Sequence, residues 1–271
     1  MTAAQPIALV VSDIDGTLVT PDKQITPAAR AAITALRQRG IGFSLTSSRP
    51  GYGMQALIRE LELQLPIGPF NGSSVVAPDL AVLDEHVVPP DAARQSVAFL
   101  ARKNFDIWLF TGTEWLAHRD DDRYVPREQH AISTAPRFIS DDAPYLDRCC
   151  KIVGVSGDFA RLADGEAELK AMIGAQAHVA RSQNYYLDIT PPGHDKGTFV
   201  AALGARLGVP MASIATIGDM PNDVPMFGVS GLSFAMGNAS DAVKAKASRT
   251  TASNTEDGFA RAMDEVLRSH G

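Results

Sequence analysis

At both ends of this chain, short β-branched runs alternate with longer amphipathic stretches, and that rhythm leaves few folds open. Residues 7–12 are apolar and β-branched, as suits a strand buried on both faces. Thr26 follows as an N-cap, Pro27 takes the first helical position, Ile33 and Leu36 supply an apolar stripe, and Gly40 ends the helix. Residues 41–47 predict a second strand and 52–63 a second helix. Strand, helix, strand, helix in one unit argues for a parallel α/β sheet. The far end repeats the rhythm: a helix over Lys196–Leu207 stopped by Gly208, strands over 213–217 and 232–236, and helices over 240–247 and 259–268.

Between these halves the texture changes. The apolar runs 107–110 and Lys151–Val155 read as strands and Phe159–Ile173 as a helix, which predicts a second, α+β module inserted into the first. The expected division is a core made of residues 1–87 and 188–271, with the insert spanning 88–187. A length of 271 residues accommodates both.

The net charge of −6 gives no broad electrostatic case for nucleic acid. Cys149 and Cys150 are the only cysteines, and as neighbours they cannot form an unstrained bridge. A chain without a disulfide framework is expected in the cytoplasm. Residues 1–6 lack a signal-peptide pattern, and no apolar run reaches membrane-spanning length, so no membrane partner is expected.

The chemistry gathers where strands should end, which is where open parallel sheets bind ligands. Asp13-Ile14-Asp15-Gly16-Thr17 closes the first strand. Two acids one residue apart point the same way if the strand persists, although Gly16 lets the backbone turn. Crowded carboxylates repel unless a cation joins them, and Mg²⁺, a hard ion that takes oxygen ligands and substrate phosphate, fits. Gly218-Asp219-Met220-Pro221-Asn222-Asp223 adds carboxylates and a carboxamide after the strand at 213–217. Ser47-Ser48-Arg49 offers a hydroxyl and backbone N–H groups to phosphate oxygens. Lys196 opens a helix, where its charge opposes the dipole, and that placement suits a lysine holding an anion. Each segment alone is also an ordinary turn, cap or surface residue. Their coincidence at strand ends and helix starts carries the functional reading.

In these segments the chain resembles the haloacid dehalogenase superfamily, and specifically its Cof-type phosphatases with a large α/β cap. The resemblance also rests on Asn71-Gly72, Asp195-Lys196-Gly197, Gly237-Asn238-Ala239 and Asn254-Thr255-Glu256-Asp257-Gly258, and runs nearly end to end. Ser47-Ser48-Arg49 departs from the usual Thr-Gly-Arg, keeping a hydroxyl but losing the glycine. The resemblance implies a Rossmann-like parallel-sheet core with an inserted α+β cap, and Mg²⁺-dependent hydrolysis of a small phosphorylated metabolite such as a sugar phosphate. It implies that Asp13 is the nucleophile that becomes an aspartyl-phosphate, and that Asp15 protonates the leaving oxygen and then activates water. It places the metal on Asp13, the backbone carbonyl of Asp15, and Asp219, and the phosphate on Ser47 and Lys196. Asn222 and Asp223 support the metal or orient Lys196, with Arg49 and Asn71 as further supporting residues. The protein is expected as a monomer or homodimer.

Other signals are weaker. Gly51-Tyr52-Gly53-Met54-Gln55-Ala56 matches a dinucleotide fingerprint but follows the second strand, with no acidic residue ending a strand about twenty positions later. The Walker pattern is absent. The six histidines are scattered, and His194 is read as a loop residue. Asp120-Asp121-Asp122 is read as a solvated loop face and the cysteine pair as packing in a cap strand; Trp108, Trp115, Arg123 and Tyr124 are read as core of the insert, with facing the substrate as the alternative. The rival functions are a phosphohexomutase and a catalytically silent sugar-phosphate-binding protein.

Overall fold

The computed structural model describes residues 5–120 and 122–268. The first four residues, part of the segment read for a signal peptide, and Asp121 of the acidic run lie outside them. Strand β1 (Leu9–Ser12) is buried along its whole length. Helix α1 (Pro27–Gln38) begins where the Thr26 hydroxyl accepts a hydrogen bond from the Ala29 N–H, and it buries Ala29, Ala32, Ile33 and Leu36. Strand β2 (Gly42–Leu45) is shorter than 41–47; Thr46 beyond it still donates its N–H to Ser12 C=O and pairs with Gly68, its hydroxyl donating to the Gly68 carbonyl at 2.9 Å. The next helix is also shorter than expected. It opens as a tight turn at Gly51–Met54, continues as α2 (Gln55–Glu60) and breaks where Glu62 takes a positive φ of 51°. A hairpin of β3 (Ser74–Val76) and β4 (Val82–Glu85), not foreseen from the sequence, leads into the insert.

The insert comprises α3 (Pro90–Arg102), β5 (Asp106–Phe110), β6 (Trp115–Ala117), α4 (Val125–Ile132), β7 (Arg137–Phe138), β8 (Lys151–Val155), α5 (Phe159–Ile173), β9 (His178–Gln183) and β10 (Tyr186–Thr190). The chain then returns through α6 (Lys196–Leu207), which has a reciprocal cap between Asp195 and Thr198 and ends at Gly208 with φ +67°. There follow β11 (Ile214–Gly218), α7 (Val224–Val229), β12 (Leu232–Ala235), α8 (Asp241–Lys244), β13 (Arg249–Thr250) and α9 (Gly258–Arg268). Helix α8 covers less than 240–247, since Ser240 is its N-cap, its hydroxyl accepting from Val243 N–H.

The first sheet is parallel throughout, in the order β13-β12-β11-β1-β2. The chain passes from β1 to one side and returns after the insert to the other, so the strand order reverses between β1 and β11. The crevice beyond the carboxyl ends of those two strands is the expected ligand position in such a sheet. The second sheet, β7-β6-β5-β8-β10-β9, is mixed, antiparallel except where β6 meets β7. The architecture is thus a parallel α/β core with an inserted mixed-sheet cap.

Period-two alternation gives the cap sheet two different faces. Ile107, Leu109, Ile152, Leu187 and Ile189 pack with Phe99 and Leu100 of α3 and Leu162 and Leu169 of α5. The opposite face carries Trp108, Phe110, Trp115, Val153 and Tyr186, as the core reading of both tryptophans requires. Trp108 meets Trp115 and Tyr186 edge to face, each at 5.1 Å. Lys151 and Asp188 continue this second face and are both buried. Among the described residues, no helix is long and apolar enough to cross a membrane.

Phe199 anchors α6 to the core. It is 1% exposed among Leu9, Val11, Val75 and Met226, and a side chain at Gly68 would collide with its ring. Phe199→Ala is expected to lower stability by about 3–5 kcal/mol in urea denaturation with little change in the slope.

Candidate active site

β1 delivers Asp13 into the crevice, and the ladder carries one residue beyond the strand, Asp13 N–H donating to Ile217 C=O at 2.9 Å. From the other side α6 delivers Lys196, whose ammonium is 1% exposed. It donates to Asp13 Oδ1 at 2.5 Å and to Asp223 Oδ1 at 2.6 Å. The second oxygen of Asp223 accepts the backbone N–H groups of Asp219 and Met220, both at 2.8 Å. Asp223 therefore fixes both the loop after β11 and the lysine.

Asp219 completes the cluster. Its carboxylate accepts from the Thr17 hydroxyl at 3.1 Å and from Asn238 Nδ2 at 3.2 Å. Gly16 is required beneath it: φ is +86°, and a Cβ would fall 2.3 Å from Asp219 Oδ2. Oxygens of Asp13, Asp219 and Asp223 all lie within 4.8 Å of one another. Burial holds the carboxyls of Asp13 and Asp219 well above their ordinary range, against the pull of Lys196, and neighbouring carboxylates push the same way.

If all three carboxyls ionise, one ammonium leaves two negative charges uncompensated in a buried space, which is why burial favours their protonated forms. A divalent cation on oxygen ligands offsets that imbalance, so the residues present fit a hard metal ion. Asp13, Asp219 and Asp223 are the carboxylates close enough together to hold it.

Asp15 goes elsewhere. The strand stops at Ser12 and Gly16 turns the chain, and the two acids meet different cations. Arg49 grips the Asp15 carboxylate through Nε at 2.7 Å and Nη2 at 2.6 Å, and Lys23 adds a contact at 2.5 Å. These cations hold Asp15 well below the usual carboxylate range despite its burial.

Ser47 is buried just past β2, its hydroxyl accepting from Arg49 N–H at 3.2 Å and its carbonyl from Asn71 N–H at 2.7 Å. Asn71 in turn accepts from Asn222 Nδ2 at 3.0 Å, joining the loops after β2 and β11. Sequence reasoning missed Lys23, Thr17 and the Asn238 contact to Asp219. It also misread Asp122 as solvated. That residue is buried, its Oδ1 accepting from Tyr124 N–H at 2.8 Å. His194 stacks on His86 at 3.7 Å, where the two connections to the insert run side by side.

The cap closes the crevice. A cavity of about 330 Å³ is lined by Asp15 and Asp219 from the core and by Arg127, Glu128, Lys151 and Tyr185 from the cap. Lys151 ties the two together, donating from the cap sheet to the Ser48 carbonyl at 2.9 Å.

A family model described as haloacid dehalogenase-like hydrolase matches residues 10–263. An HMP-PP phosphatase of Cronobacter sakazakii is 28% identical, the match covering 84% of this chain and 83% of that protein. A 5-amino-6-(5-phospho-D-ribitylamino)uracil phosphatase of Bacillus subtilis is 26% identical over 95% of this chain and 97% of its own. Among solved structures, a haloacid dehalogenase-like hydrolase from Bacteroides thetaiotaomicron superposes with a TM-score of 0.86 at 30% identity, covering 96% of this chain and 99% of that one. The chain belongs to the haloacid dehalogenase-like hydrolases.

Replacing Lys196 by Met would leave buried carboxylates without their cation. We expect a loss of about 3–5 kcal/mol, larger near pH 8 than near pH 5 because protonation relieves the acids at the lower pH. Denaturation of the variant at both pH values, with partial recovery in Lys196→Met/Asp223→Asn, checks this.

Proposed function

We propose that this haloacid dehalogenase-like phosphatase hydrolyses small phosphorylated metabolites through an aspartyl-phosphate on Asp13. The observation that carries this reading is the buried cluster in which Lys196 bridges Asp13 and Asp223 beside Asp219, a donor set that fits a hard metal ion. Phosphatase names among the relatives, for HMP-PP and for 5-amino-6-(5-phospho-D-ribitylamino)uracil, support the substrate class.

The free Oδ2 of Asp13 attacks phosphorus in line as the ester P–O bond breaks, and Asp15 delivers a proton to the leaving oxygen. Water then attacks the same phosphorus, Asp15 takes a proton from it, and the bond to Asp13 breaks, releasing phosphate. Lys196 lies against Oδ1, so it orients the nucleophile and neutralises oxygens of the transferring group. The Ser47 hydroxyl donates to a phosphoryl oxygen. Mg²⁺, held by Asp13, Asp219 and the backbone carbonyl of Asp15, supplies charge stabilisation of the transferring group when bound.

Asp15 as held by Arg49 and Lys23 is ready to act as a base. Its acid step requires those cations to loosen, and an arriving phosphate dianion competes for the same N–H groups. The cap, which we delimit at residues 88–187 with its last strand running on to Thr190, excludes water and contacts the leaving group.

Asp13→Asn is expected to cut phosphate release from p-nitrophenyl phosphate by about a thousandfold or more, with an unchanged circular dichroism spectrum. Release by the native protein should stop on chelation and return with added Mg²⁺. Full activity in the variant, or indifference to chelation, overturns the reading.

A further inference from the structure

On the cap side of the cavity one guanidinium lies without a carboxylate partner among the described residues. Arg127, in the first turn of α4, lines the same cavity as Asp15 and Asp219. Its guanidinium lies 5.0 Å from the centre of the Tyr185 ring. Tyr185 stacks on Tyr124 at 4.8 Å with 14° between the planes, and Arg123 lies 4.9 Å from the Tyr124 ring. The result is a ladder of Arg127, Tyr185, Tyr124 and Arg123, of which Arg127 and Tyr185 line the cavity.

The other cations there are engaged. Lys23 and Arg49 are spent on Asp15. Lys151 donates to Ser48 C=O and stands 4.0 Å from Asp188. Glu128, the sequence neighbour of Arg127, is acted on by Lys151 and Arg49. Among the described residues, no carboxylate forms an ion pair with Arg127. Tyr185 meets the guanidinium as a ring contact and as a hydrogen-bond partner, and the remaining N–H groups face no described carboxylate. Those groups form the planar fork that matches a carboxylate or phosphate.

We propose that Arg127 binds a second anionic group, carboxylate or phosphate, on the leaving group, so that this protein prefers phosphomonoesters bearing such a group to neutral ones. The proposal rests on the assignment of Asp13 and Asp15, which fixes where the leaving group departs. Tyr185 is then a positioning residue, setting the plane of the guanidinium.

The test compares matched pairs with Mg²⁺ present: glycerol phosphate against phosphoglycerate, and glucose phosphate against phosphogluconate. The native protein should use the carboxylate-bearing member with a kcat/KM about tenfold higher, expressed in KM. Arg127→Gln should abolish that preference while leaving turnover of p-nitrophenyl phosphate unchanged, and Arg127→Lys should retain part of it. Turnover of both members without preference, or a preference that survives Arg127→Gln, overturns this proposal alone. An equal loss on p-nitrophenyl phosphate in Arg127→Gln makes the residue structural and also overturns it. No turnover of any of these esters by the native protein overturns the catalytic reading and this inference with it.

Discussion

A lysine ammonium that is 1% exposed and lies between two carboxylates organises this molecule. Removing three charges from water is costly, and their mutual attraction offsets that cost only when each group is fully bonded. Here the remaining oxygen of Asp223 is bonded by two backbone N–H groups, and the lysine reaches both acids at hydrogen-bond distance. The consequence is positional. One side chain joins the end of β1, the loop after β11 and the start of α6, elements from opposite ends of the chain. Packing reinforces this where the Phe199 ring fills the space over Gly68. The cluster holds more carboxyls than cations, a donor set that fits a hard metal ion.

The cap answers a different constraint. Its sheet is covered on one face by α3 and α5, so the other face must find its own cover. Trp108, Phe110 and Trp115 do this by packing with one another and with Val125 and Ile132 of α4. Beyond them the same face turns polar at Lys151 and Asp188, and Lys151 reaches the core at Ser48. Cap and core thus meet through a hydrogen bond next to Arg49, and the cavity between them is lined by both.

Much of the core was legible because its signals are local. The buried strand before Asp13, the Thr26-Pro27 helix start and the glycine stop at 208 depend on residues a few positions apart. The position of Asp13 and Asp219 followed from strand ends, which parallel sheets turn into ligand sites. What was not legible depends on long-range pairing. Lys196 at a helix start has the same local signature whether it is solvated or wedged between two acids. The capture of Asp15 by Arg49 and Lys23 joins residues eight and thirty-four positions apart and leaves no local signature. Asp122 looked solvated as part of an acidic run until the fold buried it. The stacking of Arg127 on Tyr185 joins a helix to a strand end far along the chain and leaves no pattern in either segment.

The central claim is that phosphate passes through Asp13, and the most direct measurement is to catch it there. Asp15→Asn should still be phosphorylated by p-nitrophenyl phosphate, whose leaving group needs no proton, yet should hydrolyse the product slowly for want of a base. Acid quench and mass spectrometry of the peptides should then find one phosphoryl group on the peptide containing Asp13, removed by hydroxylamine as an acyl phosphate would be. A variant that releases nitrophenol while Asp13 stays unmodified, or that carries the phosphoryl group on another residue, would contradict the account.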